Sequence, residues 1–243
     1  MPVWLTARPI AHRGLHAPEG PVENTAPAFA AAIAGNYGIE CDVQISADGE
    51  AMVYHDATLG RLTEGSARLA DLSAAALKRV RFKTAAEPML TLGELCDLVD
   101  GRVLLLVELK SRFDGDLRLA QRTADVLSRY RGPVAAMSFD PEPVAALRQF
   151  APRLMRGLVA QRRERGGRGE ESLPAHRLRY ARNALAAQLQ FLAYRVSDLP
   201  AALPCFMRSV LRLPLLTWTV RTEEERGRAA RWADQIIFEG FRP

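Results

Sequence analysis

A short segment of the sequence spaces two carboxylates two residues apart among apolar neighbours. In Ile39–Ile45 the odd positions are apolar, and Glu40 and Asp42 take the first two even positions. Successive side chains of a β-strand point to opposite faces, so a strand here places both carboxylates on one face, about 6.6 Å apart. The alternative for this segment alone is an edge strand with one face in water.

A second charged pair follows an unbroken apolar run. Val103–Val107 is wholly apolar, as in a parallel strand covered on both faces, and Glu108 and Lys110 come directly after it. If the two segments are adjacent strands, about 4.8 Å apart, the three acidic side chains converge on one point. Such a cluster needs a compensating cation, and an all-oxygen set suits Ca²⁺ or Mg²⁺ rather than zinc. Lys110 would add a positive centre for a phosphate oxygen, whereas the alternative is a Glu108–Lys110 ion pair on a loop.

Two histidines end apolar runs in the same part of the sequence. His12 ends the first such run and precedes Arg13, and His55 ends a run soon after the first acidic segment. A lone histidine is usually structural, and His16 and His176 are interpreted in that way. Two histidines beside an arginine and a carboxylate cluster instead offer an acid, a base, a phosphate-binding guanidinium and a metal site. These groups suffice for phosphodiester cleavage.

The elements that must position these side chains alternate as in an α/β protein. Short apolar runs predict parallel strands, and helical patterns lie between them. A chain of 243 residues suits a single (β/α)₈ TIM barrel, whose active site lies at the carboxyl ends of its strands. The predicted strands are Pro9–Ala11, Ile39–Ile45, Val103–Leu109, Val134–Ser138, Leu154–Val159, Phe191–Arg195, Leu215–Val220 and Gln235–Phe238. The predicted helices include Thr25–Ala34, Leu92–Val99, Leu117–Tyr130, Pro141–Phe150 and Glu223–Trp232.

Two segments interrupt this alternation. Residues from about 57 to 90 separate the second strand from its helix, and they are predicted to form an insertion within one domain covering residues 1–243. Gln161–Ser172 is rich in glycine and arginine and has no apolar periodicity, so a mobile loop is predicted. This loop is expected to be unnecessary for the chemical step. It could guide anionic substrates or make a peripheral contact with a membrane.

The composition excludes several classes of protein. Hydrophobic residues make up 48% and charged residues 25% of the chain, which provides for one large core and excludes a disordered protein. No run approaches the roughly 20 apolar residues of a membrane span, and the first residues do not form a signal-peptide pattern. Three widely spaced cysteines predict reduced thiols in a cytoplasmic protein. The net charge of +5 favours anionic partners, but no motif for reading nucleic acid is visible.

The ordered motifs resemble those of the glycerophosphodiester phosphodiesterases. In order and spacing, the matching motifs are His12-Arg13-Gly14, Glu23-Asn24-Thr25, Glu40-x-Asp42, His55-Asp56 and Glu108-x-Lys110. Further similar segments, which extend the resemblance over nearly the whole chain, are His55–Thr63, Glu87–Leu92 and Trp218–Val220. The departures from the family pattern are Val22 in place of a proline, Phe238-Glu239-Gly240-Phe241 in place of a Thr-Asp pair near a proline, and the arginine-rich loop.

The resemblance implies a TIM barrel with a small subdomain inserted after the second strand. It also implies one divalent cation, Mg²⁺ or Ca²⁺, held by Glu40, Asp42 and Glu108. His12 and His55 would be the acid–base pair. The implied reaction is hydrolysis of a small-molecule glycerophosphodiester to an alcohol and glycerol 3-phosphate.

The resemblance also implies the residues that hold the substrate. Arg13 and Lys110 would hold the phosphate, and Glu23 and Asn24 would support the site. Trp218 would line the pocket beside the glycerol. Three alternatives remain open: a lysophospholipase D or cyclising lyase acting on lipid headgroups, a barrel that binds phosphate without catalysis, and nucleic-acid binding through the arginines.

Overall fold

Eight parallel strands close into a barrel surrounded by helices, which confirms the predicted (β/α)₈ fold. The computed structural model describes residues 3–162 and 182–243. The predicted loop Gln161–Ser172 therefore lies outside the described residues, apart from its first two positions. The barrel strands are β1 (Ile10–Ala11), β2 (Gly38–Ile45), β4 (Leu105–Leu109), β5 (Val134–Ser138), β6 (Met155–Ala160), β7 (Phe191–Arg195), β8 (Leu215–Val220) and β9 (Gln235–Phe238).

The barrel closes through the first strand, which pairs with both β2 and β9. Each barrel strand begins and ends within two residues of its predicted bounds. A further strand, β3 (Ala51–Val53), pairs antiparallel with the end of β2 and was not predicted. Three residues are too few for an alternating pattern to be recognised, so only the partner strand defines β3.

The described helices lie between consecutive barrel strands, and one of them, α2, belongs to the segment 57–90. They are α1 (Ala26–Ala34), α2 (Ala74–Leu77), α3 (Leu92–Val99), α4 (Arg118–Leu127), α5 (Pro141–Phe150), α6 (described over residues 182–187), α7 (Ala202–Ser209) and α8 (Glu223–Trp232), and the short 3₁₀ turns are Val3–Leu5, Leu69–Asp71 and Val196–Asp198. Capping boxes begin α3 at Thr91 and α8 at Thr222, and the side chain of Asp140 caps α5. Within the described ranges, no helix has the length and apolar character needed to cross a membrane.

Two apolar layers enclose the barrel strands. One layer fills the barrel interior and includes Ile10, Leu106, Phe191 and Ile237. The other lies between the strands and the helices and includes Phe29, Ile39, Cys41, Val43, Leu92, Leu105 and Val107. Alternation along β4 therefore directs Leu106 into the barrel, and Glu108 shares that inward face at the carboxyl end of the strand.

The segment from residue 57 to residue 90 packs around a small apolar cluster of its own. It contains one 3₁₀ turn and the short helix α2. The cluster consists of Met52, Tyr54, Leu59, Leu69, Leu77, Phe82 and Met89. Because β3 contributes Met52 to this cluster, the segment is anchored directly beside the end of β2.

A close contact inside the barrel yields a test of the packing. Gly157 on β6 faces Phe191, and a Cβ atom at residue 157 would lie 2.4 Å from a ring atom of that phenylalanine. We expect Gly157→Ala to lower the free energy of unfolding by about 1–3 kcal/mol, because the core cannot accept the extra methyl group without shifting. The matched control is Gly227→Ala on the exposed face of α8, where a Cβ meets no atom within 4 Å. This control should stabilise the protein by roughly 0.5–1 kcal/mol in the same denaturant titration. Equal effects of the two substitutions would contradict the packing.

Candidate active site

The structure brings Glu40, Asp42 and Glu108 together at the carboxyl end of the barrel. Asp42 on β2 lies directly opposite Glu108 on β4 in the parallel pairing, and Glu40 lies two residues earlier on the same face. Each residue offers an oxygen within 4.8 Å of an oxygen of the other two. All three residues are buried, with exposed fractions of 1%, 0% and 7%. We refer to these three side chains as the carboxylate triad.

Two cationic side chains border the carboxylate triad. Lys110 Nζ lies 2.8 Å from Asp42 Oδ1 and also donates to Glu108. Arg13 Nε lies 3.2 Å from Asp42 Oδ2. The predicted alternative, a Glu108–Lys110 ion pair on a loop, is present only in part, because the pair sits at a strand end and also includes Asp42.

The remaining acceptors of the triad are satisfied unevenly. The side-chain amide of Asn24 donates to Asp42 Oδ2 at 2.9 Å, and the backbone N–H of Arg13 donates to Glu40 Oε2 at 2.9 Å. The other oxygen of Glu40, Oε1, is buried and accepts no hydrogen bond from any described residue. A buried carboxylate oxygen without a donor is costly, so this position favours an additional positive group.

The three carboxyl groups of the triad differ in the direction of their pKa shifts. Burial raises the pKa of Glu40 well above its usual range, and the neighbouring Asp42 and Glu108 raise it further. Burial also raises the pKa of Glu108, against the opposing effect of Lys110. For Asp42 burial acts in the same direction, but Lys110 and Arg13 outweigh it and hold the pKa below its usual range. Glu40 is therefore the member that most readily holds a proton when no cation is present.

The donor set fits a hard divalent cation. All three side chains are carboxylates, they converge within one small space, and Glu40 Oε1 accepts no hydrogen bond from the part of the chain that the structure describes. Mg²⁺ and Ca²⁺ prefer such oxygen ligands, whereas zinc sites usually contain nitrogen or sulfur. The triad can therefore hold either ion.

His12 lies beside the triad and is held by a residue from the other end of the chain. The backbone N–H of His12 donates to Phe238 O at 2.9 Å, which continues the pairing of β1 with β9 by one residue. His12 Nδ1 lies 2.8 Å from Glu239 Oε2, while Nε2 lies 4.0 Å from Glu40 Oε2. An ionised carboxylate only accepts hydrogen bonds, so this contact places a proton on Nδ1.

Both partners of this contact have shifted titrations. Burial lowers the pKa of His12, although its hydrogen bond to Glu239 opposes the shift. That hydrogen bond lowers the pKa of Glu239 to about 2. An uncharged His12 ring that donates from Nδ1 to an ionised Glu239 satisfies both shifts. No role was predicted for Glu239 from the sequence, because the segment that contains it departs from the family pattern.

His55 is held by a second carboxylate. It follows β3 rather than a barrel strand, and its Nδ1 lies 2.7 Å from Asp56 Oδ1. Asp56 Oδ2 accepts from Arg61 Nε at 2.6 Å. Arg61 also donates to both oxygens of Glu23, at 2.6 and 3.0 Å, and Glu23 accepts from Arg13 at 2.7 Å. The predicted supporting residue Glu23 thus bonds to both Arg13 and Arg61. Arg61, for which no role was predicted, connects Glu23 to Asp56.

These side chains border a cavity of about 460 Å³. The predicted residues that line it are His12, Arg13, Glu40, His55, Glu108, Lys110 and Trp218. Trp218 on β8 packs edge-to-face against Phe139, with ring centroids 5.4 Å apart, and both rings face the cavity. Arg195 and Arg221 line its other side and were not predicted, although each lies at or directly after the end of a predicted strand.

Comparisons with known proteins relate this arrangement to one family. The model of the glycerophosphoryl diester phosphodiesterase family matches residues 12–241. The chain is 32% identical over 162 residues to a glycerophosphodiester phosphodiesterase of Caldanaerobacter subterraneus. The aligned region covers 63% of this chain and 66% of that protein. The chain is 28% identical over 167 residues to glycerophosphodiester phosphodiesterase 1 of Bos taurus, covering 62% of this chain and 48% of that protein. The matched region thus spans just under two thirds of the bacterial relative and about half of the mammalian one.

Solved structures share the fold over nearly the whole length. A Silicibacter pomeroyi protein classed with the glycerophosphoryl diester phosphodiesterases has a TM-score of 0.74 and 26% identity, covering 95% of this chain and 89% of that one. An Oleispira antarctica phosphodiesterase in complex with the product sn-glycerol-3-phosphate has a TM-score of 0.76 and 20% identity, covering 98% of this chain and 95% of that one. At this lower identity, the second comparison concerns the fold alone.

The fit of a cation to the triad can be tested by thermal unfolding. Mg²⁺ or Ca²⁺ at about a hundredfold excess over its Kd should raise the Tm by roughly 5–10 °C relative to protein in EDTA, because the ion binds only the folded chain. Glu40→Gln should abolish this response, and it should cost little stability in EDTA because it relieves carboxylate repulsion.

The matched control for this measurement is Glu50→Gln. Glu50 lies outside the triad and pairs with Arg122 at 2.8 Å. This variant should lose some stability and keep the full response to the cation. A wild-type Tm that is the same with EDTA and with either ion would show that the triad binds no cation.

Proposed function

Because this chain belongs to the glycerophosphoryl diester phosphodiesterase family, we propose that it hydrolyses glycerophosphodiesters to an alcohol and glycerol 3-phosphate with one divalent cation, Mg²⁺ or Ca²⁺. The observation that carries this proposal is the shared cavity. The cavity is lined by the triad members Glu40 and Glu108, by both predicted histidines, and by the cationic side chains of Arg13 and Lys110. The Oleispira antarctica phosphodiesterase, which shares this fold, was solved with sn-glycerol-3-phosphate, the product that the proposed reaction would release.

The carboxylate triad is proposed to hold the cation. When bound, the ion would supply positive charge to a phosphoryl oxygen and so stabilise the charge that builds up in the transition state. Asn24 keeps Asp42 in place through its hydrogen bond at 2.9 Å. The low pKa of Asp42 keeps that carboxylate ionised and able to bind the cation. The raised pKa of Glu40 favours its protonated form, so Glu40 must lose its proton when the cation binds.

Arg13 and Lys110 are proposed to bind the phosphate. Arg13 contacts Glu23 through Nη1 and Asp42 through Nε, so its five donors exceed what these acceptors use. Lys110 carries three donors and already lies between Asp42 and Glu108. The side chains of Arg13 and Lys110 are only 17% and 22% exposed, so they attract a monoanionic phosphodiester more strongly than cations in open water would.

His12 and His55 are proposed to divide the acid and base roles. In each ring Nδ1 faces a carboxylate, at 2.8 Å for His12 and 2.7 Å for His55. The other nitrogen, Nε2, is then the atom that exchanges a proton with the substrate. One ring would protonate the leaving alkoxide while the other removes the proton of the attacking oxygen. Histidine suits both tasks near neutral pH.

The apolar side of the cavity is proposed to receive the glycerol. Trp218 and Phe139 offer flat carbon surfaces, and Met137 lies on the same wall. A glycerol moiety presents C–H groups and hydroxyls, which an aromatic wall beside polar side chains accommodates. This side of the cavity therefore governs which end of the diester enters.

Product analysis tests the proposed reaction directly. The protein should be incubated with a panel of glycerophosphodiesters in water enriched in ¹⁸O, with and without chelator. Hydrolysis by water predicts glycerol 3-phosphate carrying one labelled oxygen, and the reaction should stop with EDTA. Accumulation of a cyclic phosphate would instead identify a cyclising lyase, and the absence of turnover on every diester would support a barrel that only binds phosphate.

Substitution of the histidines tests the mechanism. His12→Ala and His55→Ala should each lower kcat by about 10²–10⁴-fold, the usual effect of positioned proton transfer. KM should change much less, because the cation and Arg13 remain. An activated nitrophenyl ester, whose leaving group needs little protonation, should restore the rate of the acid variant alone.

The matched control is His16→Ala, a half-buried histidine that does not line the cavity. It should change kcat less than about threefold. If neither cavity histidine lowers kcat by more than about tenfold, proton transfer by the two histidines is not the mechanism.

A further inference from the structure

Glu239 is a carboxylate at the catalytic end of the barrel that takes no part in the triad. It directly follows β9, and its backbone N–H donates to Val220 O at 3.1 Å. His12 takes the equivalent place after β1, with its backbone N–H bonded to Phe238 O at 2.9 Å. The pairing of β1 with β9 therefore brings together two side chains that are 227 positions apart in the sequence.

Arg221 holds Glu239 from the other side. Its Nη2 lies 2.8 Å from Glu239 Oε2, the same oxygen that His12 approaches. The backbone N–H of Arg221 donates to Glu225 Oε2 at 2.7 Å, and Glu225 closes the capping box that begins α8. The first turn of α8 thus determines where Arg221 lies, and Arg221 limits where the carboxylate can move.

We propose that Glu239, held by Arg221, is the positioning residue for His12. By accepting the Nδ1–H, it selects one tautomer and one ring orientation, so that the lone pair of Nε2 faces Glu40 and the cavity. This inference rests on the proposed function, since it assigns an orientation to a ring that the function uses. Glu239 belongs to the segment Phe238–Phe241, where the sequence departs from the family pattern.

The second histidine supports this interpretation. His55 is held by Asp56, which in turn accepts from Arg61, so both rings have a carboxylate on Nδ1 and an arginine behind it. In one case the carboxylate is the next residue in the chain, and in the other it comes from a distant strand. The same contact made by two unrelated routes indicates that the contact itself matters. Glu239 does not line the cavity, which argues against a direct role in binding substrate.

A double-mutant cycle tests the proposal through kinetics. Glu239→Gln keeps the shape of the side chain and removes its charge, and it should lower kcat by about 10–100-fold with less than about threefold change in KM. In a His12→Ala background the same substitution should cost less than about twofold, because the residue it positions is gone. Equal losses in both backgrounds would show that Glu239 acts independently of His12, and the proposal would be overturned.

Two further variants separate positioning from stability. Glu224→Gln removes a glutamate that also pairs with an arginine, Arg228, but lies 82% exposed on α8, and it should leave kcat unchanged. Glu239→Asp keeps the charge with a shorter reach, so it should recover part of the rate lost in Glu239→Gln. Failure of the aspartate to exceed the glutamine variant would contradict the proposal.

The tautomer of His12 gives a readout that does not depend on turnover. Nitrogen chemical shifts of the imidazole, measured with His12→Ala to assign the signal, should show the proton on Nδ1 in the wild-type protein and a mixture of tautomers in Glu239→Gln. An unchanged tautomer would overturn the proposal even if kcat fell. If the wild-type protein hydrolyses no diester, the proposed function fails, and this spectrum still decides whether Glu239 orients the ring.

Discussion

The arrangement of the site depends on how the repulsion among three buried carboxylates is compensated. Glu40, Asp42 and Glu108 cannot all remain ionised in one dry space without positive charge beside them. Lys110 and Arg13 supply part of that charge, and both compensate chiefly Asp42. The same burial suits the triad to a cation that prefers oxygen ligands, and we propose that the triad holds one.

Closure of the barrel brings the other side chains of the candidate site to the carboxylate triad. The β2–β4 register sets Asp42 opposite Glu108, and the β1–β9 pairing sets His12 beside Glu239. His55 reaches the same cavity from outside the barrel, because β3 folds back along β2 and ends next to it. His12 and Glu239 therefore meet beside the triad only when β1 pairs with both β2 and β9. A substitution that weakens the pairing of β1 with β9 should displace His12 and Glu239 before it unfolds the surrounding helices.

The sequence predicted those features that depend on local spacing. Alternation along β2 identified Glu40 and Asp42, and the end of an apolar run identified Glu108 and Lys110, because strand periodicity and burial are local properties. The alternation of strands and helices in a chain of this length predicted the barrel, and the ordered motifs predicted the family through their resemblance to it. The structure and the comparisons confirm both. Glu239 escaped prediction because its partner His12 lies 227 positions away. Arg61 and Arg221 escaped because Glu23 and Glu239, with which they pair, lie 38 and 18 positions away. The short strand β3 escaped because its own three residues carry too little pattern.

The proton balance of cation binding tests the central claim most directly. Because burial raises the pKa of Glu40, the empty triad should hold a proton at a pH just above the ordinary glutamate range, and the cation must displace it. Calorimetric titrations with Mg²⁺ or Ca²⁺, in buffers of different ionisation enthalpy, count the protons released. Release of a fraction of a proton per ion, falling to zero as the pH rises above the pKa of Glu40, together with affinity that rises over the same range, is the predicted result. Tight binding with a heat that is independent of the buffer throughout that range would contradict the account, because the three carboxylates would then share the space fully ionised.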